Sequence, residues 1–314
     1  MKRIILTLTL LLSAAGLSSR AQGLSAAQFL DISPDAASLS LGGSGLTLTE
    51  GAFSVWSNPA SSALSSKKLA AGAAYGLWQP SYSASSYAAA SGFVRIGKSL
   101  AVNFLGKYYM HQSYDLTGED GIVNGSFTPN EMNFALGASY ALLPSLSLGV
   151  NLGYVRSDIG APQAGSALVS DLALQYRYKD LDAALSVRNL GTKISYGGAS
   201  SYSLPSKAEL GLSYTLGRTK AADHRLALHA QASAYLADSL FRLAGGLRYS
   251  FKETVYIAGG DSTVLSSPEM GFASVGAGLS LWGVEIGAAY LLGSSDNPNS
   301  GSLLVNLSYS FCAL

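Results

Sequence analysis

The chain has 314 residues, a formal net charge of +1 and only 12% charged residues, about half the usual share of a soluble domain. That balance carries no electrostatic footprint for nucleic acid. Mean hydropathy is +0.25, yet past the first residues no run approaches the ~18 apolar residues of a membrane helix, which is the pattern of a membrane β-barrel whose strands are each only half lipid-facing.

Lys2 and Arg3 precede a short apolar stretch over 4–12, and Ser19 and Ala21 stand at the −3 and −1 positions of a cleavage site before Gln22. This order predicts a secretory signal peptide over 1–21, too short to anchor. Residues 22–66 lack sustained alternation and are rich in Gly, Ser and Ala. They predict a plug or periplasmic segment, with the barrel over 67–314. Cys312 is the one cysteine, so no internal disulfide forms.

From residue 69 onward, alternating segments recur near 69–76, 86–95, 98–112, 131–142, 145–157, 168–178, 180–189, 207–216, 225–236, 240–251, 254–260, 272–281, 282–292 and 301–311. That is about fourteen strands, most of them near the ~9–11 residues a tilted strand needs to cross a bilayer. The clearest is "SLSLGVNLGYV" at 145–155, with Leu146, Leu148, Val150, Leu152 and Tyr154 on one parity and Ser145, Ser147, Gly149, Asn151 and Gly153 on the other. The predicted fold is therefore all-β, a transmembrane antiparallel barrel of about 14 strands with an N-terminal plug segment. Short links (Lys98, Pro144, Lys179–Asp180, Lys252–Glu253, Trp282) alternate with long ones (113–130, 157–167, 189–206, 261–271, 293–300), as expected of inner turns and outer loops; two links break the pattern, 237–239 being short where a long loop is due and 217–224 longer than a minimal turn. A final strand, Leu303 to Phe311, closes on an aromatic residue.

Lipid outside explains the polar parity, because an Arg or Lys facing lipid at the midplane costs ~2–4 kcal/mol. Glu131, Asp171, Arg177, Glu209, Arg242, Arg248 and Glu285 are therefore lumen charges, lining a path or neutralising one another across strands. Tyr140, Tyr154, Tyr178, Tyr214, Phe251, Tyr290 and Phe311 fall on the apolar parity near strand ends, where interfacial girdles form. Inward positions read mainly as Gly, Ala, Ser, Asn and charges, with Leu105, Leu291 and Leu304 as large apolar exceptions. Arg is expected to be tolerated better at Ser147 or Asn151 than at Leu148 or Val150.

The segment 29–60 carries Phe29-Leu30, Gly42-Gly43, Glu50 and Trp56-Ser57-Asn58-Pro59-Ala60. It resembles the opening of the PorV/PorQ family, relatives of the FadL fatty-acid transporters in Bacteroidetes-type bacteria. Ala37, Leu41 and Ser57 depart from the family pattern. The resemblance implies an outer-membrane barrel in a Gram-negative cell, after signal cleavage, with outer membrane lipid around it. It further implies a component or cargo-interaction partner of the type IX secretion system; the alternative is FadL-like passage of apolar small molecules. Few large apolar inward side chains favour the secretion role.

Trp56, Asn58 and Pro59 are a candidate latch, against the plainer reading of a turn in which Asn bonds its own backbone and Pro fixes φ. The loop 113–130 is acidic and offers Tyr114, Ile122 and Phe127 to a partner. His111, His224 and His229 make no metal pair on one strand, and no nucleophile or nucleotide motif occurs. The sequence thus predicts no enzyme, no metal and no cofactor.

Overall fold

The computed structural model describes residues 25–218, 222–294 and 296–312; the predicted signal peptide lies outside them. The strands begin with β1 (Leu69–Trp78), β2 (Ser85–Ile96), β3 (Leu100–Met110), β4 (Tyr114–Thr117), β5 (Val123–Phe127) and β6 (Asn130–Leu143). They continue with β7 (Leu146–Asp158), β8 (Gly165–Tyr178), β9 (Leu181–Gly191), β10 (Ile194–Ser195), β11 (Ser201–Tyr202) and β12 (Lys207–Leu216). The last six are β13 (His224–Tyr235), β14 (Leu240–Phe251), β15 (Val255–Val264), β16 (Phe272–Leu281), β17 (Val284–Leu292) and β18 (Leu303–Phe311).

Fourteen of them close an antiparallel barrel, β18 returning to β1 with Leu69 opposite Phe311. β4 with β5, and β10 with β11, form two small hairpins outside that ring, within the long loops 113–130 and 189–206. β15 runs on to Val264, past the predicted loop start at Asp261. There Asp261 and Ser262 pair on both sides, Asp261 opposite Gly245 and Ala273, and Thr263 pairs with Leu243 of β14. Closure leaves no edge strand, and the turns at one end are tight. At Trp282-Gly283 both residues take positive φ, 54° and 85°, the two-residue hairpin geometry that matches strand twist.

The alternation resolves as expected. In β7, Leu148 is 44% exposed while Ser147 is fully buried, so the apolar parity faces out and the polar parity in. The predicted girdle rings Tyr140, Tyr154, Tyr178, Tyr214, Phe251, Tyr290 and Phe311 all lie exposed on the outer wall.

The lumen is packed rather than open. Residues 25–66 fold inside it as a 3-10 turn at Gln28–Asp31, α1 (Ala36–Ser40), α2 (Ser54–Ser57) and a second 3-10 turn at Ser61–Leu64. Asp35 caps α1, accepting from the Ala37 amide at 3.0 Å. Asn306 of β18 brackets the same stretch, accepting from Ala36 N at 2.6 Å and donating to the Pro34 carbonyl at 2.7 Å. Small inward residues are required by this contact. A Cβ on Gly149 would lie 2.3 Å from Ala60 N, and one on Gly42 (φ +71°) 2.2 Å from the Asp261 carbonyl oxygen. Ser147 donates to the Ala60 carbonyl and Asn151 to that of Val55. The polar face of β7 is thus bound to protein, not to water.

The expectation of few large apolar lumen residues is corrected here. Leu105, Leu291 and Leu304 are buried as expected, but so are Tyr87, Phe93, Tyr109, Val155, Val264 and Phe272, all inward from the strands. Of these only Val264 lies beyond the predicted segments; the others fall within them, at inward positions taken there as mainly small or polar.

Candidate functional site at the outer mouth

At the long-loop end the lumen opens into a cavity of about 690 Å³, within the ~300–1,000 Å³ of small-molecule sites. Its floor is the N-terminal segment, through Phe29, Ile32 and Leu39, and its walls include Trp78, Tyr109, Leu240, Val264 and Phe272. The apolar lining therefore comes from the inserted segment and from strand ends.

One arc of the wall is ionic, and strand register assembles it. Lys207 of β12 lies opposite Arg188 and Tyr235, and Glu209, two residues on and on the same face, lies opposite Ser186 and Ser233. Ser233 in turn faces Arg242 on β14. Into this arc the inserted segment brings Asp31. Its carboxylate pairs with Lys207 at 2.7 Å and Arg242 at 3.8 Å and accepts from the Tyr235 hydroxyl at 2.6 Å. Glu209 pairs with Lys207 at 2.8 Å and Arg188 at 3.6 Å, and accepts from Gln231, Ser233 and Ser186. Burial disfavours the charge on Asp31, yet Lys207 and Arg242 outweigh it and hold the carboxyl well below the ordinary range. Two wall cations compensate the carboxylate that Asp31 brings into the mouth.

Lys107 fastens the same segment by a different chemistry. Its ammonium donates to the Phe29 and Ile32 carbonyls at 2.5 and 2.6 Å and lies 4.8 Å from the Trp56 ring centre. The cation is solvated by carbonyls and ring faces. Deeper in, Asp35 sits beside Glu285. Burial first, and that second carboxylate next, push Asp35 up to about 6.

The residues singled out in the sequence separate into groups. Glu131, Glu209 and Arg242 line the mouth cavity, Glu131 paired with His111 at 3.0 Å. Asp171 accepts from the Asn189 amide midway down the wall. Arg177 bonds Asp182 at 2.8 Å and Thr49 at 2.5 Å, Arg248 lies 3.9 Å from the Tyr256 ring, and Glu285 borders the gap beside Asp35. Asn58 donates to the Leu46 carbonyl and to Gln175, and accepts from Ala60 N. The Pro59 carbonyl accepts from Asn103 and Trp56 is buried under Lys107, so this trio is a turn docked on the wall. Tyr114, Ile122 and Phe127 lie in and beside the β4–β5 hairpin, where Tyr114 packs on Phe127. His229 meets Thr47 and His224 meets Tyr249, far from His111. Among the described residues no three ligand-type side chains cluster to hold a metal.

Arg188 alternates with Val187 and was expected to face the lumen, but Asp31, Lys107 and Lys207 were not anticipated. The inward pair Lys207 and Glu209, opposite charges on one strand face, was the available signal. Asp31 had none, since its segment alternates with nothing.

The fold and this mouth define a fourteen-strand barrel of the outer-membrane type with an occupied lumen. No family model and no curated protein matches the chain. Among solved structures it is similar to the toluene transporter TbuX of Ralstonia pickettii, with a TM-score of 0.58 and 11% identity over 89% of this chain and 98% of that one. It is similar also to the monoaromatic hydrocarbon channel CymD, at 0.60 and 12% over 88% and 97%. A Pseudomonas aeruginosa FadL homologue aligns at 0.53 and 12% over 88% and 98%. At such identities the likeness is one of fold.

Proposed function

We propose that the chain is a passive outer-membrane channel for apolar small molecules, entered at the outer mouth. The observation that carries this reading is the 690 Å³ cavity that gathers Phe29, Ile32, Leu39, Trp78, Tyr109, Leu240, Val264 and Phe272 into an apolar surface beside the ionic arc. It supplies the apolar surface whose scarcity, in the sequence, had favoured secretion. The transporters and channels named above support passage of this kind over the type IX secretion role drawn from residues 29–60. Residues 25–66 act as the plug: they floor the cavity and shift for a ligand to pass. Cleavage before Gln22 and residence in the outer membrane of a Bacteroidetes-type cell complete the proposal.

Deleting the gene in its native host separates the two readings. Channel function predicts slowed uptake of an apolar aromatic such as toluene, with surface delivery of type IX cargo intact. Lost cargo delivery with normal uptake would instead establish the secretion role.

A further inference from the structure

The ionic arc of the mouth is unevenly paired. Lys207 is held by two carboxylates, Asp31 at 2.7 Å and Glu209 at 2.8 Å. Arg242 meets Asp31 only at 3.8 Å, beyond hydrogen-bond distance, and its buried Nε has no partner among the described residues. Arg188 shares this condition, with Glu209 at 3.6 Å and its own Nε unpartnered, but its side chain is 7% exposed against 23% for Arg242. Arg242 is the cation that the cavity reaches.

Strand register explains the missing bonds. On β14, Arg242 faces Ser233 of β13 on one side and Val264 of β15 on the other. Ser233 gives its hydroxyl to Glu209 at 3.1 Å, and the Val264 side chain carries no acceptor. The guanidinium carbon lies 5.7 Å from the Phe272 ring centre, and Leu240 precedes Arg242 on the same strand face. A planar group of hydrogen-bond donors therefore stands within the apolar part of the cavity wall.

The surrounding charge selects what such a donor receives. Asp31, Glu131, Glu209, Asp238 and Glu269 line the same cavity, five carboxylates against the cations Arg188, Lys207 and Arg242. An anionic ligand meets that excess of negative charge, whereas a neutral acceptor does not. A pure hydrocarbon seated here strips water from Arg242 and returns nothing, leaving a charged donor unpaired. A carbonyl oxygen restores the bond, and its donor is charged.

We propose that the mouth selects neutral aromatic molecules carrying one carbonyl oxygen, such as aryl ketones, with the oxygen accepting from the Arg242 guanidinium and the ring lying on Phe272, Val264 and Leu240. This names a substrate class for the channel proposed above and rests on that reading.

The test measures retention of acetophenone, its hydrocarbon isostere ethylbenzene, and benzoate by purified wild type and Arg242→Met in one detergent. Heat-modifiable migration confirms that each barrel is folded. Comparing one ligand across the two proteins cancels that ligand's own cost of leaving water. Wild type holds acetophenone about tenfold more tightly than the variant does, the fold-change of one hydrogen bond from a charged donor, and holds ethylbenzene no more tightly. Independently of any variant, the infrared carbonyl stretch of acetophenone bound to wild type lies below its frequency in hexane. Equal acetophenone affinity in both folded proteins, or a stretch left at its hexane frequency, overturns this selectivity, while bound ethylbenzene upholds the channel reading. Benzoate gaining more than acetophenone from Arg242 overturns the neutral class. A folded wild type that retains none of the three overturns the cavity as a ligand site, and the proposed passage with it.

Discussion

Asp31 is the residue on which the inserted segment and the wall most depend. Asp31→Asn keeps the size of the side chain but leaves Arg242 without its carboxylate and Lys207 with Glu209 alone. Breaking a buried pair from one side costs about 3 kcal/mol, so the thermal midpoint of heat-modifiable migration should fall, and adding Arg242→Met, which removes the cation left without its carboxylate, would restore part of it. Asp35 predicts the opposite sign. Its folded carboxyl titrates at about 6, above the ordinary 3.8, because of burial and Glu285, against weaker relief from Arg248. A raised carboxyl pKa favours the folded state below about 4 and loses that contribution as pH rises through about 6. Asp35→Asn, which keeps the cap on α1, should therefore stabilise the barrel at pH 8, on the order of 2 kcal/mol, and do little at pH 4.5. Asp31 behaves conversely, its contribution present at neutral pH and lost only below the ordinary carboxylate range. Melting curves of both variants across pH 4–8 check the signs.

At the scale of the element, the strand with the cleanest alternation, β7, exposes Leu148 on its outer face and binds the inserted segment through Ser147 and Asn151 on its inner one. Leu148→Arg places a charge in lipid at ~2–4 kcal/mol and should block assembly into membranes. Ser147→Ala removes one buried hydrogen bond, to the Ala60 carbonyl, for about 1 kcal/mol, and should assemble normally with a lower melting point. Ser147→Arg now carries a penalty of its own, because Ala60 fills the space, contrary to the tolerance the alternation alone implied. The strands were readable because a barrel wall imposes period two on every spanning residue. The hairpin β4–β5 was not, since Tyr114, Leu116, Ile122 and Val123 are all exposed and no buried face imposes alternation on it. The mouth was missed for a related reason. Trp78 and Val264 lie past the ends of the alternating segments 69–76 and 254–260, Tyr235 and Phe272 close theirs at the mouth, and Phe29, Ile32 and Leu39 arrive from a segment with no periodicity at all.

For the whole molecule, the segment 25–66 fills the lumen and the cavity above it is the remaining open volume at the mouth. Deleting 25–66 should raise single-channel conductance several-fold in planar bilayers; unchanged conductance would remove its plugging role. Passage of apolar molecules is the central claim, and the outer leaflet of an intact cell is the barrier against which it has meaning. The most direct measurement is the initial rate of toluene uptake by Gram-negative cells expressing the protein, its Phe272→Arg variant, or neither. Phe272 is buried in the mouth wall beside Arg242, and a second guanidinium there obstructs the cavity and makes it polar. Uptake severalfold above the empty control, abolished by Phe272→Arg at equal surface abundance, is the predicted result. Equal uptake by all three strains would contradict it.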